Sequence, residues 1–116
     1  MTTTIDIFDP AHYAKARRPF LEAETLPPCC YTSEEFYRRE VERIFRPAWN
    51  FVGRADEIAK PGDYFTIELT GESIILVRDR AGSPRAFANT CRHRGARLLQ
   101  GEGNCKVITC PYHGWG

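Results

Sequence analysis

Cys91-Arg92-His93 and Cys110-Pro111-Tyr112-His113 decide how this chain is read, and sixteen residues separate His93 from Cys110. Each short loop carries one thiol and one imidazole, two or three positions apart. Each can therefore send one ligand to each of two metal ions. Two thiolates on one iron and two imidazoles on the other make the ligand set of a [2Fe–2S] cluster of the mixed type. The spacing predicts one such electron-transfer cluster, bound by Cys91, His93, Cys110 and His113. The competing metal is zinc, which takes Cys and His readily. Its structural loops usually pair like with like, as Cys with Cys and His with His. A zinc-binding interaction module would be colourless and redox-silent.

Ligand charge sets what the cluster does. Two ferric ions, two sulfides and two thiolates cancel, so reduction adds a single negative charge to a neutral core. A four-thiolate cluster starts two charges lower and accepts an electron less readily. Imidazole ligation thus places the potential in a range of about −150 to +300 mV. Hydrogen bonds around the cluster tune it within that range. High-potential clusters of this kind carry a Ser hydroxyl just after the His-Gly of the second loop, and an extra Cys in each loop that together form a disulfide. Here Trp115 follows Gly114, and neither Arg94–Arg97 nor Pro111–Tyr112 supplies a Cys. The expectation is a potential at the low end.

The surrounding sequence predicts a mainly β fold with a short N-terminal helix. Residues 1–30 read as an irregular lead-in, broken by Pro10, Pro19, Pro27 and Pro28, and residues 31–116 as the cluster domain. Thr32-Ser33-Glu34-Glu35 starts the helix, with Thr32 and Glu35 matching a capping box. Phe36, Tyr37, Val41, Ile44 and Phe45 form an apolar stripe read as core packing, and Arg46-Pro47 ends the helix. From Trp49 the period becomes two. Trp49–Arg54, Tyr64–Leu69, Ser73–Arg78, Arg85–Asn89 and Lys106–Thr109 are predicted strands, with a turn at Gly101–Asn104. The two metal loops then lie at hairpin ends of a small antiparallel domain.

Composition bounds the rest. The 116 residues suit one domain, and a net charge of +1 argues against a global pull towards nucleic acid or membrane. Six arginines between Arg78 and Arg97 face a single acid, Asp79. They read either as a solvated basic edge or as a docking surface for an acidic redox partner. The N-terminus has neither the basic start nor the apolar run of a signal peptide. The longest aliphatic run, Ile74–Val77, falls far short of the ~20 residues of a membrane helix. A cytoplasmic protein with reduced thiols is expected, in which Cys29, Cys30 and Cys105 are ordinary packing or surface thiols and His12 is a surface residue.

The run Asn89-Thr90-Cys91-Arg92-His93-Arg94-Gly95-Ala96-Arg97-Leu98, with Cys110-Pro111-Tyr112-His113-Gly114-Trp115, resembles the Rieske domain of the Rieske non-haem iron oxygenases, the ring-hydroxylating alpha subunits. Upstream, Phe45–Arg54 and Pro61-Gly62-Asp63-Tyr64-Phe65 are similar to the same family, so the likeness spans about residues 25–116. The resemblance extends to aromatic-ring dioxygenases and quaternary-amine monooxygenases. It implies a trimeric oxidoreductase that takes electrons from a reductase or ferredoxin. The cluster passes them to a mononuclear Fe(II) on a two-His, one-carboxylate triad in a second domain. Only His12 remains outside the loops, so the resemblance implies a truncated alpha subunit lacking the catalytic domain and inactive alone. A free-standing Rieske ferredoxin is the alternative electron carrier. Its first loop is expected nearer the middle of the chain, whereas ninety residues precede Cys91 here.

Overall fold

Ile75, Leu76 and Val77, from the aliphatic run singled out in the sequence, are the buried centre of a four-stranded sheet in the computed structural model, which describes residues 6–116. Strand β1 (Asp63–Leu69), β2 (Glu72–Arg78), β3 (Pro84–Ala88) and β4 (Glu102–Asn104) lie in the order β3-β2-β1-β4, all pairs antiparallel. The fold is mainly antiparallel β with a short N-terminal helix, as the sequence predicts. Two compact units make up the chain, Met1–Trp49 and Asn50–Gly116.

In the second unit, turn chemistry sets the register. Leu69 pairs with Glu72 across a two-residue turn, Thr70-Gly71, in which both residues have positive φ (51° and 83°). That geometry matches the right-handed twist of the flanking strands. The β2–β3 connection closes where the Asp79 carboxylate accepts the Ser83 N–H at 2.8 Å and the Arg85 Nε–H at 2.8 Å. Arg78 fastens the preceding segment to β2. Its guanidinium donates to the carbonyls of Ile58, Gly82 and Ala55.

Two of the predicted strands do not form. Segment 50–54 is irregular and leads into a 3-10 turn at Ala55–Ile58. Its alternating aromatics point to solvent, with Trp49 and Phe51 both exposed. Gly53 adopts φ 153°, where a Cβ would come within 2.7 Å of the Phe65 ring. The Glu57 carboxylate then accepts the Arg54 N–H at 2.5 Å and starts the turn. Residues 106–109 are also irregular. The ladder forms instead at Glu102–Asn104, within the stretch read as a turn. Polar anchors select it: the Asn104 side-chain amide donates to Asp63 Oδ1 at 2.8 Å and to the Pro61 carbonyl at 3.1 Å. The Cys105 N–H donates to the Gly62 carbonyl at 3.0 Å. Gly62 has φ 88°, and a Cβ there would meet the Cys105 carbonyl at 2.5 Å, so only glycine fits this crossing.

The first unit is helical. Helix α1 (Cys29–Thr32) is followed by α2 (Glu34–Glu40), which runs into a π turn at Val41–Phe45. Ser33, not Thr32, caps α2, its hydroxyl accepting the Phe36 N–H at 3.2 Å. The Thr32 hydroxyl is turned back to the Pro28 carbonyl. Of the apolar stripe, Val41 is buried and Phe36 half-buried beneath Phe8, whose ring stacks at 6.0 Å and also faces the Arg39 guanidinium. Tyr37, Ile44 and Phe45 are exposed, and the π turn carries Ile44 and Phe45 off the line of the α-helical stripe. Desolvation, together with Cys30 close by, pushes the Tyr13 phenol up to about 12. Its hydroxyl is held by the Ile7 carbonyl, and the Cys30 thiol lies 3.9 Å away. Among the described residues no helix is long and apolar enough to cross a membrane.

Candidate metal centre

The two loops share one backbone device. In the first, the Gly95 N–H donates to the Cys91 carbonyl at 2.9 Å and the Cys91 N–H to the Ala96 carbonyl at 2.8 Å. In the second, the Gly114 N–H donates to the Cys110 carbonyl at 3.0 Å and the Cys110 N–H to the Trp115 carbonyl at 2.6 Å. Each loop is thus a six-residue bracket that opens on a Cys and closes just after a Gly. Gly95 (φ 72°) and Gly114 (φ 78°) supply the left-handed residue each bracket needs. The imidazole stands third in the first bracket and fourth in the second. The repeat is visible in the sequence as a Gly four residues after each Cys, a signal that the ligand spacing alone passes over.

Burial separates the two candidate ligand types. Cys91 is 7% exposed and Cys110 3%, whereas His93 and His113 are exposed. The backbone amide of Tyr112, and after it that of His113 and the Cys91 side chain, lower the Cys110 thiol below its ordinary value against the opposing effect of burial. The two imidazoles meet edge to face, ring centres 4.9 Å apart. Two imidazoles bound through nitrogen at about 2 Å from one ion bring their ring centres to roughly 5 Å, so the arrangement fits a shared metal. Among the described residues no three His, Cys, Asp or Glu side chains are gathered as for a single ion. A two-iron cluster asks only for two pairs.

Aromatic groups wall the histidines. Trp115 stacks on His93 with ring centres 4.5 Å apart and planes 10° off parallel. Tyr112 lies against His113 at 3.9 Å, and the Arg94 guanidinium faces Tyr112 from the first loop at 5.9 Å. Behind the first loop, Asn89 is buried at the end of β3. Its amide donates to Ser73 Oγ (3.1 Å) and the Leu99 carbonyl (2.7 Å), while its carbonyl accepts from the N–H groups of Leu98 (3.0 Å) and Leu99 (2.9 Å). It ties the chain leaving the first bracket back to the sheet.

The basic stretch divides. Arg78 is spent on backbone carbonyls, Arg85 pairs with Asp79, and Arg97 pairs with Glu68 at 2.9 Å. Arg92 and Arg94 remain exposed on the first bracket, with no ion pair among the described residues. The five cysteines are all free thiols.

The family description "Rieske [2Fe-2S] domain" matches residues 48–116. The carnitine monooxygenase oxygenase subunit of Escherichia coli K12 is 50% identical over 95 residues, 81% of this chain and 25% of that protein. The benzene 1,2-dioxygenase alpha subunit of Pseudomonas putida is 42% identical over 95 residues, again 81% of this chain and 21% of the relative. Among solved structures, the quaternary ammonium Rieske monooxygenase CntA in complex with L-carnitine aligns with a TM-score of 0.77 at 46% identity, covering 80% of this chain and 27% of the other. Naphthalene 1,2-dioxygenase from a Rhodococcus species bound to indole aligns with a TM-score of 0.73 at 38% identity, covering 78% and 21%. The chain spans about a quarter of the length of the curated relatives it matches.

Proposed function

Because the chain belongs to the Rieske [2Fe–2S] domain family, we propose that Cys91 and Cys110 hold one iron, His93 and His113 the other, and that this centre relays electrons within an O2-dependent oxygenase. The observation that carries the reading is the repeated bracket, with cysteines inside and imidazoles outside in edge contact. When bound, the cluster supplies a one-electron carrier. The chain's own residues give it a direction. The sulfur side is buried, and the amides of Tyr112 and His113 stabilise thiolate charge on Cys110. The imidazole side faces solvent and is the side on which an electron enters or leaves.

In this reading residues 1–30 are a lead-in and 31–116 the cluster domain of an oxygenase alpha subunit. The donor is a reductase or ferredoxin in the cytoplasm. The acceptor is a mononuclear Fe(II) on a two-His, one-carboxylate triad, reached within a homo-oligomer, a trimer by family resemblance. The sequence holds three histidines, so with His93 and His113 on the cluster only His12 is left, and the triad must come from another domain. Relatives that act on carnitine and on benzene both support the relay as the shared role, with quaternary amines and aromatic rings as the substrate classes.

Anaerobic reconstitution tests the ligand set. Two irons and two acid-labile sulfides per chain are expected, and Cys91→Ala or Cys110→Ala should abolish uptake. Stoichiometric zinc without labile sulfide would refute the reading.

A further inference from the structure

Resting on the cluster reading above, we infer that Trp115 is a positioning residue for His93, fixing the plane of its imidazole from the opposite loop. His93 is exposed, and no hydrogen bond to its ring is present among the described contacts that could set its rotation. What faces it is the Trp115 indole, nearly parallel at 4.5 Å. Offset face-to-face contact of this kind is a preferred aromatic arrangement. It restricts rotation about the bond joining the ring to the side chain without offering the ring a competing acceptor. A ligand held within a narrow angular range is what a metal site needs from its supporting residues.

The second loop walls both imidazoles, His93 with Trp115 and His113 with Tyr112. The first loop returns the Arg94 guanidinium over Tyr112 and the His93 edge against His113. Placement of the two histidines thus depends on the Cys110–Trp115 bracket. The Trp115 backbone closes that bracket through its carbonyl, whichever side chain it carries. Substitution of the indole therefore separates positioning from loop closure. The competing role is bulk. Trp115 also lines an apolar groove of about 420 Å³ with Ile75, Phe87, Leu98 and Ile108, so it could serve merely to fill space there.

The test compares Trp115→Phe, Trp115→Leu and Trp115→Ala with the parent chain. In the metal-free chain, the His93 ring protons should be shifted upfield by the indole in NMR spectra. The shift should persist in part in the Phe variant and be lost in the Leu and Ala variants. In the reconstituted, reduced chain, electron paramagnetic resonance should show one narrow set of g values for the parent and Phe variant, and broadened or doubled lines for Leu and Ala. If Leu and Ala take up no cluster, rescue by Phe supports the inference and failure of Phe overturns it. A Leu variant matching the parent in its electron paramagnetic resonance spectrum would assign Trp115 to space filling and overturn it. If the parent itself takes up no cluster, the function proposed above fails, and the metal-free ring shift alone decides whether Trp115 orients His93.

Discussion

Asn89 makes four side-chain hydrogen bonds in a buried position, holding Ser73, Leu98 and Leu99 together beneath the first loop. Truncation would strand two backbone N–H groups and a carbonyl away from water, a penalty of about 1–3 kcal/mol for each group left unsatisfied. Asn89→Ala should therefore destabilise the chain by about 3 kcal/mol, read as a lower urea midpoint with an unchanged slope. A loss under about 0.5 kcal/mol would mean that water replaces the amide. At this scale the sequence is explicit about chemistry and silent about support. Cys91, His93, Cys110 and His113 stand out because few other chemistries use thiol and imidazole at such spacing. Asn89 and Trp115 carry no comparable signal. An Asn at the end of a strand reads as a turn residue, and a Trp near a loop as packing. Their partners lie nine or more positions away and appear only once the chain is folded.

Strand pairing was legible where apolar residues mark the strand, as in β1, β2 and β3, and misplaced where polar side chains choose the partner, as in β4. The β1–β2 turn holds a cost that alternation does not reveal. Thr70 sits at φ 51°, a left-handed conformation that disfavours a β-branched residue. Thr70→Asn should raise stability by about 1 kcal/mol, seen as a higher thermal midpoint; a lower midpoint would show that the Thr70 hydroxyl bond to the Leu69 carbonyl matters more. The β1–β4 junction has a pH signature. Asp63 is held below the ordinary carboxylate value, first by the Asn104 amide and then by the Lys60 N–H. Asp79 is lowered in the same direction, by the Arg85 side chain and then the Ser83 N–H. Carboxyls lowered on folding contribute stability above their unfolded pKa of about 4. That contribution disappears as the pH falls through the folded value. The urea midpoint should thus drop on acidification below about pH 4, and drop less in Asp63→Asn. Equal drops in parent and variant would exclude Asp63 as a contributor.

Across the whole molecule the net charge of +1 conceals an uneven field. Pairing with Asp79 and Glu68 neutralises Arg85 and Arg97, which leaves Arg92 and Arg94 beside the exposed imidazoles. Composition showed the arginine excess, but only three-dimensional pairing identifies which charges stay available. If an acidic donor is steered by this pair, reduction of the reconstituted chain should slow as salt rises, and Arg94→Glu should slow it by on the order of tenfold at low ionic strength. A rate indifferent to salt would return both residues to ordinary solvation. The repeated bracket also bears on how such a centre can diverge. Its closure uses main-chain atoms and two glycines, so Arg92, Arg94, Pro111 and Tyr112 are not needed to shape the loops. Descendants of one ancestral site can therefore exchange these four side chains, and with them the docking preference and the surroundings of the histidines, while inheriting the backbone of both loops unchanged.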